Sequence, residues 1–131
     1  MSPILLDTHA WAWGLVEPAK LSRNVRKLID GGAIVLVSPI SVFEIGQKVR
    51  LKKWPQMAPI LHDLPSLITD LGSRIAPATP EICRLAATFD WPHRDPFDRI
   101  LAATAVHYGA ALVSADTAFD TLPKGTLKRV W

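Results

Sequence analysis

Apolar residues fall into two kinds of run along this chain. Residues 4–6, 33–37 and 110–114 form short, nearly unbroken apolar stretches, the pattern of strands buried on both faces. Shorter stretches at 74–76 and 127–131 fit further strands. Between them, apolar positions recur at helical spacing. Helices are predicted over 8–15, 22–29, 39–50, 60–71 (interrupted or bent at Pro65), 80–89 and 96–108. In the 39–50 helix, Val42, Ile45 and Val49 line one side, and Ile40, Glu44, Lys48 and Leu51 another.

Punctuation supports these boundaries. Ser38-Pro39 and Asp95-Pro96 each pair a side-chain acceptor at the N-cap with a proline whose missing N–H costs nothing in the first turn. Thr8 is available to cap the first helix, and Thr79-Pro80-Glu81 opens the fifth. Gly31-Gly32 stops the second helix and Gly109 is a natural C-cap for the sixth. Residues 52–59 and 90–94 read as loops, and 117–120 as a single turn.

Short apolar strands alternating with helices imply βαβ units, hence an α/β fold with a parallel sheet covered on both faces. The 131 residues contain no repeat or linker and are expected to form one domain, 1–131. In such sheets ligands bind beyond the carboxyl ends of the strands, at a topological switch point. Asp7 and Asp116 each stand just past a predicted strand, so the site is expected at that edge.

Composition narrows the chemistry only a little. The net charge of +3 leans towards anionic partners without resembling a nucleic-acid-binding tail. Cys83, the one cysteine, excludes an intramolecular disulfide and a cysteine-based zinc site. Its neighbours Ile82, Leu85 and Ala86 make a buried helix position the expectation. No secretory leader is recognisable, and no apolar run approaches the roughly 20 residues of a membrane span. A cytoplasmic location away from membranes is the default.

The acids carry more. Asp7 can end a strand, cap a helix or bind a ligand. Glu44 can pair with Lys48 across one helical turn; Ser41 and Glu44 also match a capping box, but Ser38-Pro39 is the better start. Asp95 is the economical cap of the sixth helix, and Asp98 falls in its first turn, where the helix dipole favours an anion. Asp116 fits an Asx-type turn. Each explanation stands alone, yet the topology can bring Asp7, Glu44, Asp98 and Asp116 to one edge. Clustered carboxylates repel and call for a counter-charge. An all-oxygen ligand set suits Mg²⁺ or Mn²⁺, while histidines at 9, 62, 93 and 107 fit zinc less well. A divalent cation held near a basic surface suggests phosphate-ester chemistry.

Four blocks, LLDTH at 5–9, SPISVFEIGQKVRL at 38–51, RDPFDRILAATA at 94–105 and LVSAD at 112–116, together resemble the PIN-domain endoribonucleases. Within that family the chain is most similar to the VapC-type toxins of type II toxin–antitoxin systems. The resemblance implies a three-layer α/β/α sandwich whose parallel five-stranded sheet runs in order 3-2-1-4-5. It implies that Asp7, Glu44, Asp98 and Asp116 form the family's catalytic, metal-binding quartet. Asp7 and Asp98 would be the most direct ligands, with Ser114 in support and Asp95 kept as the cap. The implied reaction is Mg²⁺- or Mn²⁺-dependent hydrolysis of RNA phosphodiesters by an activated water.

Lys48, Arg94 and Arg99 are the foremost candidates to hold the RNA backbone, with Arg50, Lys52 and Lys53 behind them. Trp54, in a Lys- and Pro-rich loop, is the tryptophan best placed for RNA or a partner; Trp11 and Trp13 are expected to pack. The resemblance further implies a homodimer and a cognate antitoxin whose C-terminal segment occupies the active-site groove. Two other readings compete. An aspartate-nucleophile phosphatase usually wants a second acid two residues after the first, where this chain has His9. A non-catalytic RNA- or protein-binding module would have no use for four intact acids.

Overall fold

The computed structural model describes residues 2–131. Five strands, β1 (Ile4–Leu6), β2 (Val35–Val37), β3 (Arg74–Ile75), β4 (Ala111–Val113) and β5 (Arg129–Val130), form one parallel sheet in order β3-β2-β1-β4-β5. Six α-helices accompany it: α1 (Thr8–Val16), α2 (Arg23–Asp30), α3 (Pro39–Arg50), α4 (Leu64–Asp70), α5 (Pro80–Thr88) and α6 (Pro96–Tyr108). The α/β class and the strand order are as expected.

Each central strand feeds both faces of the sheet, because successive side chains point to opposite sides. Ile4, Leu6, Val37 and Val113 pack with Trp11, Val25, Ile45, Leu64 and Ile68 from α1 to α4. Leu5, Leu36 and Leu112 face the other way, onto Leu101, Ala102 and Ala105 of α6. Ile82 and Ala86 of α5 then pack against Ala103 on the back of α6. The sheet is thus buried between two helical layers.

Several boundaries differ from expectation for local reasons. β2 begins at Val35 because the turn after α2 extends further, with Ala33 N–H bound to Leu28 O at 3.2 Å. Pro65 does not bend a helix; it lies in the first turn of α4 and starts one. The preceding segment, Pro55–Asp63, winds as a 3₁₀ helix with Pro59 inside it, where a shifted hydrogen-bond pattern suits prolines better than an α-helix does. Cys83 is exposed, on the outward side of α5, whereas Ile82 is fully buried. Its apolar neighbours in sequence point elsewhere, which is what helical spacing does to adjacent residues. At the far end of α6, Gly109 takes the left-handed conformation (φ 62°) expected of a C-cap and turns the chain into β4.

Candidate active site

The sheet changes direction of growth at β1, which lies between β2 and β4. Beyond their carboxyl ends, Asp7 follows β1 and Ser114, Ala115 and Asp116 follow β4. The backbone N–H of Asp7 donates to Val113 O at 3.0 Å, which ties the two strand ends together.

A cleft of about 130 Å³ opens there, lined by Asp7, Thr8, His9, Glu44, Lys48, Asp95, Asp98, Leu101 and Asp116. The four expected acids therefore share one small space. A larger hollow, about 680 Å³, lies at the opposite edge of the sheet around Pro3, Gly109, Lys128 and Trp131, and no Asp, Glu, His or Cys among the described residues lines it. Size does not identify the site; chemistry does.

Each acid is held by a different local device. Asp7, not Thr8, caps α1: its Oδ1 accepts from Ala10 N–H at 2.8 Å. Thr8 instead turns its hydroxyl to Ser41 Oγ at 2.9 Å, joining α1 to α3 in the interior. Asp7 is nearly buried, and that burial raises its carboxyl pKa. The Ser114 hydroxyl, the Ala10 N–H and nearby His9 oppose the rise, while the Asp98 charge adds to it.

Glu44 is also nearly buried, and Lys48 Nζ lies 3.1 Å from its Oε2. The helical ion pair allowed by the sequence is formed, and it is formed inside the cleft.

Asp95 caps α6, accepting from Phe97 N–H at 2.8 Å and more weakly from Asp98 N–H at 3.4 Å. Asp98, the third residue of α6, faces the cleft. Burial raises its pKa; the hydrogen bond and charge of His93 pull it down, and Asp95 and Glu44 push it up. His93 Nε2 lies 2.6 Å from Asp98 Oδ2, and its ring packs 4.7 Å from that of Trp91.

Asp116 caps the short 3₁₀ turn Thr117–Thr121 through Ala118 N–H at 2.8 Å, and its own N–H donates to Ser114 Oγ at 3.0 Å. Arg129 of β5 steadies this turn, donating to Ser114 O at 3.0 Å while its fork grips Asp120 at 2.9 and 3.0 Å.

Two features escaped the sequence. His93 sat in a loop with no periodicity to flag it, and only its place five residues before Asp98, across a capped helix start, hinted at contact. Arg99, read as a candidate for RNA, has four of its N–H groups directed at backbone carbonyls: Ala86, Phe89, Trp91 and His93, at 2.7 to 2.9 Å. It pins the loop before α6 to that helix. Arg94 is exposed beside the cleft's rim residue Asp95, and Lys48 lines the cleft itself.

The donor set fits a hard divalent cation. Among the described residues, the group of three ligands whose donor atoms lie within 4.8 Å of one another is His93, Asp95 and Asp98. The quartet Asp7, Glu44, Asp98 and Asp116 lines the cleft without closing to that spacing. Such looseness suits Mg²⁺, which keeps several waters and takes only one or two carboxylates directly.

The PIN domain family matches residues 4–125. The chain belongs to the PIN-domain family. Ribonuclease VapC22 of Mycobacterium tuberculosis (strain ATCC 25618 / H37Rv) is 30% identical to this PIN domain over 118 residues, 88% of each chain. Chains in solved structures share the fold. VapBC2 from Rickettsia felis, bound to a DNA fragment from its promoter, superposes with a TM-score of 0.70 at 15% identity, covering 97% of this chain and 96% of that one. FitAcB from Neisseria gonorrhoeae gives 0.64 at 23% identity, over 98% and 96%. No helix among the described residues of this PIN domain is long and apolar enough to cross a membrane.

Proposed function

We propose that this PIN domain is a metal-dependent endoribonuclease, the toxin half of a toxin–antitoxin pair, with Asp7, Glu44, Asp98 and Asp116 as its catalytic acids. The observation that carries the reading is the meeting of all four in one cleft at the switch point of the sheet. Kinship with a VapC ribonuclease supports RNA as the substrate. The VapBC and FitAB assemblies among its structural neighbours support an antitoxin as partner. A homodimer is part of the same proposal.

In this reading Asp7 and Asp98 would hold Mg²⁺ or Mn²⁺ most directly, and Glu44 and Asp116 would complete the shell or orient the attacking water. When bound, the cation lowers the pKa of that water and stabilises charge on the phosphate and leaving oxygens. The protein residues do the positioning. Ser114 bonds to Asp7 and Asp116, His93 fixes the far oxygen of Asp98, and Lys48 offsets the charge of Glu44 and can meet a phosphate oxygen.

Incubating the purified protein with single-stranded and structured RNAs tests this. Cleavage in Mn²⁺ or Mg²⁺, lost with EDTA and lost again in Asp7→Asn and Asp98→Asn proteins that remain folded, is the expected result. Cleavage that persists in EDTA, or in those variants, overturns the assigned chemistry. Tight RNA binding with no products under any metal, unaffected by neutralising the acids, would instead favour a binding module.

A further inference from the structure

A row of aromatic rings leads out of the acidic cleft. The exposed imidazole of His9 lies over Trp54, centroids 4.8 Å apart and planes 29° from parallel. It is also 5.6 Å from Trp13, whose own ring meets Trp131 at 5.8 Å. Trp13 and Trp54 are only partly buried, unlike Trp11, which sits in the core.

A second hollow, about 320 Å³, opens beside the cleft and is lined by Asp7, His9, Trp13, Ala115 and Asp116. Asp7, His9 and Asp116 line both spaces, so whatever fills the hollow adjoins the acids. Its volume falls at the lower end of the roughly 300–1,000 Å³ of small-molecule pockets.

Cations bracket the rings. Lys48 Nζ stands 5.4 Å from the centroid of Trp54, and Lys20 Nζ 5.6 Å from that of Trp13. Each also touches a carboxylate, Glu44 and Glu17 respectively, at 3.1 and 3.3 Å, which keeps the ammonium groups close to the ring row. Flat rings between cations match a chain that alternates flat bases with phosphates. They match a cationic peptide poorly, since it would meet like charge at both ends.

We propose that this hollow is a nucleobase subsite: an unpaired base next to the cleaved phosphate stacks against His9 and Trp13, while Lys20 and Lys48 meet neighbouring phosphates. The proposal rests on the ribonuclease reading and narrows it to RNA that is single-stranded at the cut, because a base held in a duplex has no free face to offer. Stacking on a side chain reads no base edge, so the subsite admits any base and favours purines by their area.

The test compares binding of a twelve-nucleotide oligoadenylate with binding of the same ribose-phosphate chain lacking all bases. It is done in Mg²⁺ on an Asp98→Asn protein, so that the RNA stays intact. The protein should prefer oligoadenylate by roughly 5- to 150-fold, the span of one stacked base. His9→Ala and Trp13→Leu should remove most of that preference and leave the abasic affinity nearly unchanged, with Trp13→Phe retaining it. Replacing His9 also removes a polar ring beside Asp7, but that acts on both probes alike and cancels in their ratio. His9 is exposed, so its variant reports even where Trp13→Leu fails to fold. No preference for bases, or a preference that survives His9→Ala, overturns the subsite. Capture of a protein partner lost in the same variants, with no base preference in the parent, assigns the hollow to that partner instead. Cleavage by the protein with all four acids is assayed separately, and its absence would remove the nuclease reading without altering the base-preference result.

Discussion

His93 Nε2 stands 2.6 Å from Asp98 Oδ2, so one oxygen of this carboxylate is fixed by the protein and the other is left to face the cleft. Carboxylate ligands oriented in this way by an outer partner lose about 10- to 100-fold in metal affinity or activity when the partner goes. His93→Asn should therefore cut cleavage by about that much. The loss should fall mainly on the Mn²⁺ or Mg²⁺ concentration required, and thermal melting should be little changed. Cleavage rates titrated with metal at saturating RNA provide the measurement; an unchanged metal requirement would leave His93 a packing residue against Trp91.

Asp95 and Asp98 are three residues apart and should respond in opposite ways. Asp95→Ala removes the α6 cap and should cost about 1 kcal/mol in urea unfolding, with the folded fraction still cleaving RNA. Asp98→Asn should keep the stability and abolish cleavage. A stable but inactive Asp95→Ala protein would reverse the two roles.

Burial raises the pKa of both Asp7 and Asp98. A carboxyl raised in the fold holds its proton more tightly there than in the unfolded chain. Its contribution to stability is therefore present at low pH and is lost as pH rises from the ordinary value of 3.8 through the raised one. Towards neutral pH, without metal, the burial of both carboxyls therefore opposes folding. Asp7→Asn keeps the cap acceptor and removes one charge, so in EDTA its melting temperature should exceed the parent's at pH 7. The gain should shrink towards about pH 4, as the parent's own carboxyl takes up its proton. Adding Mn²⁺ should stabilise the parent more than the variant. Melting curves at both pH values, with and without metal, measure all of this.

Among the described residues, Lys48 is the one lysine or arginine lining the acidic cleft. Lys48→Met should weaken RNA binding and flatten its salt dependence by about 0.7 in log affinity against log salt, the share of one phosphate contact on a single strand. It should also lower the metal concentration needed, because Glu44 is released from its pair. Binding isotherms across a salt series test the first effect and metal titration of cleavage the second.

Arg99 offers a contrast between charge as read in sequence and charge as used. Arg99→Lys cannot reach four carbonyls on three turns of chain, and buried acceptors left unpaired cost about 1–3 kcal/mol each. Denaturant unfolding should show a loss of roughly 3 kcal/mol or more. An affinity for RNA that falls while stability holds would instead return this arginine to the surface.

The alternation of apolar strands with capped helices was legible because burial on both faces of a sheet leaves an unmistakable apolar run, and because Ser38-Pro39 and Asp95-Pro96 mark helix starts chemically. The quartet was legible for a related reason: strand ends and helix starts are where this topology gathers residues. What stayed hidden depends on contacts between distant or aperiodic positions. Nothing near Arg99 announces four carbonyls converging on it, and nothing in residues 52–63 announces a 3₁₀ helix rather than a loop followed by an α-helix. The apolar residues flanking Cys83 are its neighbours in sequence and not in space, because helical spacing turns adjacent side chains to different sides. Asp7 rather than Thr8 caps α1 although either could, because the Thr8 hydroxyl is engaged by the buried Ser41 hydroxyl.

Asp7, Asp95 and Asp116 each close the first turn of a helix with a side-chain oxygen. An asparagine in any of these places supplies an equivalent oxygen without the charge. Selection for a folded chain therefore asks only for an acceptor at these positions and is blind to whether it ionises. On the proposed reading, only the chemistry requires Asp7 and Asp116 to be acids. On that reading, one Asp-to-Asn change at either position would separate an RNA-cutting protein from an intact, silent one that could still fill its place beside a partner, so inert decoys would be readily accessible to this fold.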